Sequence, residues 1–103
     1  MKLPFKTTNF KMNESVANFL SRRMEKMEEL LGKIGGVVSG WIELGRTTRH
    51  HKKGDVYRAE AQIKLKSQSI RAEGVSNTVF GAITQMKDRL KRELSKYKTR
   101  KPR

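Results

Sequence analysis

Residues 56–66, VYRAEAQIKLK, alternate without a break. Tyr57, Ala59, Ala61, Ile63 and Leu65 point one way; Arg58, Glu60, Gln62, Lys64 and Lys66 point the other. A period of two belongs to a strand, and a strand of this pattern lies in a sheet with one dry face and one wet face. The dry face must be covered, and two amphipathic stretches are available to cover it. Asn13 reads as the N-cap of a helix over roughly 14–31. Its stripe is Val16, Leu20, Met24, Met27 and Leu31, at steps of three and four. Gly32, Gly35 and Gly36 are expected to end it. Ser76 or Asn77 is placed to cap a last helix, whose stripe is Val79, Ile83, Met86, Leu90, Leu94 and Tyr97.

The remaining strands follow by the same reading. KLPFKTT (2–8) is a short first strand, with Pro4 suited to an edge because it lacks an N–H. VVSGWIELG (37–45) is a second, with Val38, Ile42 and Leu44 sharing a face. IRAEG (70–74) is a fourth, with Ile70 and Ala72 inward. The order is β-α-β-β-β-α. The expected fold is α+β: a two-layer sandwich of a four-stranded sheet with two helices on one face. Its first β-α-β unit should cross over right-handed. A single domain is expected over residues 1–98, followed by a basic tail at 99–103, with no repeat, linker or second domain.

The surface of this domain must carry a large positive charge. Lys and Arg number 24 against 10 acidic residues, so the net charge is +14 over 103 residues. Such a surplus opposes compaction and attracts polyanions, with nucleic acid the first candidate and an anionic membrane the second. No apolar run is long enough to span a bilayer. The N-terminus, MKLPFKTTNF, shows no apolar signal region, and a cytoplasmic protein is expected. With no cysteine there is neither a disulfide framework nor a thiolate metal site. His50 and His51, with Asp55 near them, do not complete a ligand set, so no metal or other cofactor is expected. Neither a nucleophile–base pair nor an acidic cluster nor a phosphate-cradling glycine loop is recognisable, and the chain is not expected to be an enzyme or to act on a small molecule.

The stripe of the last helix fixes where its cations fall. Arg89, Arg92 and Lys96 lie on one flank, and Lys87, Lys91 and Lys98 on the other. A core stripe kept between two basic flanks is the mark of an ordered surface rather than a sticky tail. The first helix adds Arg22, Arg23 and Lys26, offset by Glu14, Glu25, Glu28 and Glu29. With the helices side by side, Arg23 and Lys26 are expected to face Arg89, Arg92 and Lys96 across a groove that follows a phosphate backbone. The connection at 46–55 holds a second patch in Arg46, Arg49, Lys52 and Lys53, equally readable as an ordinary solvated loop. Trp41 should stand on the sheet face away from the helices, packed over a strand neighbour such as Arg58 or stacked on a base.

AITQMKDRLKRELSKYK (82–98) resembles the second helix of the ribosome hibernation-promoting factors, a family that includes the ribosome-associated inhibitor A proteins and carries the older label of sigma-54 modulation proteins. That helix reads A-I-x-x-x-x-D-K-L-x-R-Q-L-x-K-x-K, matched here by Ala82, Ile83, Asp88, Leu90, Arg92, Leu94, Lys96 and Lys98, with Arg89 in place of Lys. FLSRRMEKMEELL (19–31) is similar to the family's first helix through Arg23, Met24, Lys26 and Met27. VYRAEAQIKL (56–65) is similar to its third strand, and IRAEGVSNTVFGAI (70–83) to the approach to its second helix. Three features depart from the pattern: Glu29 where a basic residue is frequent, Thr78 where an Asp often opens the helix, and the long basic connection.

The resemblance implies a fold like that of double-stranded-RNA-binding domains. It implies a partner, the small ribosomal subunit, and a place near the decoding region where mRNA and tRNA would lie. Arg23, Lys26, Arg89, Arg92 and Lys96 would then hold ribosomal RNA phosphates, and translation would be blocked by occupancy when growth slows. A monomer is expected off the ribosome, and a chain stopping at Arg103 is not expected to pair ribosomes through a second domain. The competing readings are a general RNA- or DNA-binding module and a protein-binding sigma-factor modulator.

Overall fold

The computed structural model describes residues 3–46 and 56–100, with side chains as far as Tyr97 in the last helix. The elements run β1 (Phe5–Thr8), α1 (Glu14–Lys33), β2 (Val37–Arg46), β3 (Tyr57–Leu65), β4 (Ser69–Ser76) and α2 (Val79–Arg100). This is the expected α+β order. The strands form one sheet in the order β1-β2-β3-β4, with β1 parallel to β2 and the other pairs antiparallel.

Both helices bury their stripes against one face of the sheet. Val16, Leu20, Met24, Met27 and Leu31 of α1 join Ile83, Met86, Leu90 and Leu94 of α2 and Ile42, Leu44, Ala61, Ile63 and Leu65 of the sheet in one core. The alternation of β3 holds: its inward residues Ala59, Ala61, Ile63 and Leu65 are buried. The glycines are used for contact as well as for turns. Gly74 lies directly beneath α2, where a Cβ would meet Met86 N at 2.6 Å and come closer still to Ala82 O. A side chain there would lift α2 off β4.

The structure corrects several expectations. Gly32 lies inside α1, which runs on to Lys33; the chain turns at Gly36, whose φ of +87° suits glycine. Val38 does not share the inward face of Ile42 and Leu44 and is 55% exposed. A β-bulge between Val37 and Ser39 inserts one residue, so the side-chain parity flips at that point. The cap of α2 is Thr78, whose Oγ1 accepts from Gly81 N at 2.9 Å. Ser76 supports it by accepting from Thr78 N at 3.4 Å. Thr99 and Arg100, expected in the tail, belong to α2. The cap of α1 is Asn13 as expected, accepting from Val16 N at 2.9 Å.

The direction of the helices follows from the sheet. Since β1 and β2 are parallel, α1 runs back against both. Since β4 is two antiparallel steps from β2, it runs the same way as β2, and α2 returns against it. The helices are therefore parallel, with their N-terminal ends together. Phe19 of α1 and Phe80 of α2 meet there edge to face, with ring centroids 4.9 Å apart.

Candidate nucleic-acid interface

That aromatic contact decides which flank of α2 faces α1. Phe80 lies at helical spacing from Lys87 and Lys91, seven and eleven residues on, so this flank looks toward α1. The opposite flank looks over the free edge of β4. Arg89 Nη1 donates to Glu73 O at 2.9 Å, and Gln85 Oε1 accepts from Val75 N at 3.2 Å. Two side chains of α2 thus occupy backbone groups that an unpaired strand edge would leave open.

The groove expected from the sequence is therefore built differently. Arg23 and Lys26, both exposed, do stand on the side of α1 that carries Phe19. They face Lys87 and Lys91, not Arg89, Arg92 and Lys96. Arg92 and Lys96 share the flank of Arg89, along the outer side of α2 above β4. Arg22 is exposed on the solvent side of α1, one turn before Lys26, and also lines a cleft with Leu3, Phe5 and Glu25. The backbone of Lys98 lies in the last turns of α2. Arg49, Lys52 and Lys53, with His50 and His51, lie outside the described residues.

The cations of this layer keep their charges largely available. Arg23, Lys26, Lys91 and Arg92 have no carboxylate within salt-bridge distance among the described residues. Arg23 instead lays its guanidinium over the Phe19 ring at 4.4 Å. Lys87 Nζ pairs with Asp88 Oδ1 at 2.9 Å, and Lys96 Nζ approaches Glu93 Oε2 at 3.7 Å. The Asp88 carboxyl is held below the usual aspartate range, chiefly by the hydrogen bond from Lys87, with Lys91 and Arg92 adding through space.

On the outer sheet face the arginines and glutamates are tied to one another, while Lys64 has no carboxylate within salt-bridge distance among the described residues. Glu60 is 6% exposed although it points away from the core. It is gripped by Arg71 Nε at 2.6 Å, Arg58 Nη2 at 3.3 Å and Gln62 Nε2 at 3.2 Å, and Arg58 also donates to Glu73. Trp41 stands on this face as expected, but its cation is Lys6, 5.2 Å from the ring centroid, rather than Arg58.

With this geometry in place, the chain can be set beside known proteins. Residues 4–101 match the family described as sigma 54 modulation protein / S30EA ribosomal protein. The chain belongs to this family. The match takes in both helices and every strand, so the helix layer is part of the family domain rather than an addition to it. No curated protein matches the chain. Among solved structures, the protein Y N-terminal domain of Thermus thermophilus is similar with a TM-score of 0.70 and 16% identity, covering 94% of this chain and 99% of that one. A ribosomal subunit interface protein from Coxiella burnetii is similar with a TM-score of 0.64 and 17% identity, covering 95% of this chain and 100% of that one. At such identities the likeness is one of fold.

Other expectations bear on the same site. No helix among the described residues is long and apolar enough to cross a membrane. No group of His, Cys, Asp or Glu among them is arranged to hold a metal ion. Sequence reasoning missed Phe19 and Phe80. Phe80 is an aromatic just off the buried stripe, between Val79 and Ile83, and that displacement was the signal available.

Proposed function

We propose that the chain is a ribosome-binding translation inhibitor that lays its helix layer against ribosomal RNA of the small subunit, in the channel for mRNA and tRNA. The family is a ribosome-associated one, and this supports the partner. The observation that carries the reading is the row of exposed cations on α1 and α2, of which Arg23, Lys26, Lys91 and Arg92 have no carboxylate within salt-bridge distance among the described residues. A surface of this kind gains affinity from phosphate by releasing counterions. Arg23, Lys26, Lys87 and Lys91 would grip one stretch of backbone between the helices, and Arg89, Arg92 and Lys96 another beside α2. Inhibition would then need no chemistry, only occupancy, by a monomer acting in the cytoplasm.

Sucrose-gradient co-sedimentation with separated ribosomal subunits at near-physiological salt tests this, with excess duplex RNA as competitor. The expected result is saturation near one copy per small subunit that survives the competitor. Unsaturated binding to both subunits, abolished by the competitor, would make the chain a general polyanion binder, since duplex RNA is recognised mainly by shape and phosphate.

A further inference from the structure

Phe80 is a large apolar side chain in water, 41% exposed, on the first turn of α2. Phe5 and Val38, the other exposed large apolar residues described, lie on the edge strand and on the β2 bulge. Phe80 thus stands apart from them, on the cationic helix layer. Burial explains only part of it. Phe19 is packed against the core and touches Phe80 edge to face, which braces the ring but leaves much of it open. Arg23 covers the Phe19 ring, so a cation is held beside the aromatic pair. Lys87 follows on the same flank, about 10 Å further along α2 at 1.5 Å per residue. The first turn of α2 carries no acidic residue, so nothing in that turn repels a phosphate.

An exposed, braced ring beside a guanidinium, at the head of a cationic groove, has the chemistry of a stacking platform for a nucleobase. We infer that Phe80 stacks an unpaired base of the bound RNA while Arg23, Lys26, Lys87 and Lys91 hold the flanking phosphates. The inference rests on the proposed RNA-binding role and sharpens it: the target is a place where a base is free of its helix, not an uninterrupted duplex. A paired base would keep its faces inside the stack and could not reach the ring.

The test uses a short single-stranded RNA carrying one 2-aminopurine, whose emission responds to stacking, and the same RNA with an abasic site there. Wild type and Phe80→Tyr should change the 2-aminopurine emission, because both keep the ring. Phe80→Leu keeps an apolar side chain without a ring; it should leave the emission as in free RNA and weaken binding about 5- to 150-fold. Its salt dependence should be unchanged, since no charge is removed. The abasic RNA should bind wild type and Phe80→Leu alike.

Unchanged emission with wild type, or equal wild-type affinity for the 2-aminopurine and abasic RNAs, would overturn the inference. Both arms use wild-type protein and stand even if Phe80→Leu fails to fold. Loss of subunit binding by Phe80→Leu with RNA binding intact would place a ribosomal protein on the ring and overturn it as well. Stacking on the oligonucleotide without saturable binding to small subunits would instead sink the proposed function and leave the stacking site standing.

Discussion

The two faces of this domain use arginine in opposite ways. On the outer sheet face Arg58 and Arg71 close on Glu60 and Glu73, and the Arg58 guanidinium is pushed above its ordinary value chiefly by the hydrogen bond to Glu73. On the helix layer Arg23, Lys26, Lys91 and Arg92 find no such partners among the described residues. A net charge of +14 is therefore a poor description of the surface. The partnership of each cation says where a polyanion would bind: a guanidinium already held by carboxylates must be released before it can meet a phosphate, and an unpartnered one need only shed water and counterions.

The largest effect should come from reversing charge on the helix layer. Arg92→Glu with Lys96→Glu should remove tight subunit binding, and the slope of log affinity against log salt should flatten by roughly 1.4 to 1.8, at about 0.7 to 0.9 for each phosphate no longer neutralised. Lys64→Glu with Lys66→Glu is the matched control at the sheet, since either pair takes the net charge from +14 to +10. Equal weakening in both doubles would mean that overall charge, not the layer, drives binding.

On the other face the expected effect is on stability. Glu60→Ala leaves Arg58 and Arg71 facing each other without their shared carboxylate. Loss of one partner from a fully buried pair costs about 3–5 kcal/mol. These arginine side chains are 42% and 60% exposed, so solvent screening reduces the expected cost to about 1–2 kcal/mol. Urea unfolding should show it, with subunit binding unchanged below the transition. Thr78→Ala follows, at about 1 kcal/mol for removal of an N-cap, and should loosen the end of α2 that carries Phe80.

What the sequence made legible depended on how local the signal was. Both helix stripes read correctly because a 3.6-residue period survives any neighbour, and Val16 to Leu31 and Val79 to Tyr97 are buried throughout. Val38 failed because one inserted residue inverts the parity of a strand without leaving a mark in the sequence. The cap reads as Ser76 or Asn77 because Ser76, Asn77 and Thr78 are all able to cap and only the start of the helix chooses among them; the family resemblance sets Thr78 at that opening position. Among the described side chains, the two basic flanks of α2 fall as expected, Arg89, Arg92 and Lys96 on one and Lys87 and Lys91 on the other. Their assignment differs from the expected one, because which flank meets α1 depends on how α2 sits across β3 and β4. Phe19–Phe80 and Arg89–Glu73 settle that, and both join distant parts of the chain. The burial of Glu60 was hidden for the same reason, since it needs the register that sets Arg71 and Glu73 beside it.

The smallest expected effect asks whether the helix layer is as free as the contrast implies. Asp88 holds Lys87 at 2.9 Å, the one close ion pair described on the flank facing α1. If Lys87 binds phosphate, Asp88 competes with the RNA for it, and Asp88→Asn should tighten binding by a few-fold at most. The pH dependence carries the sign. The folded carboxyl titrates below its unfolded value, so the stability from this pair is present above the unfolded pKa and is lost as pH falls through the folded one. At neutral pH the wild type carries the competing carboxylate and the variant does not; as pH drops through the lowered pKa, the two should converge in affinity. A variant that binds more weakly at neutral pH would reverse the reading: Asp88 would then position Lys87 for the phosphate, and a held cation would serve binding on the helix layer just as a held arginine serves stability on the sheet.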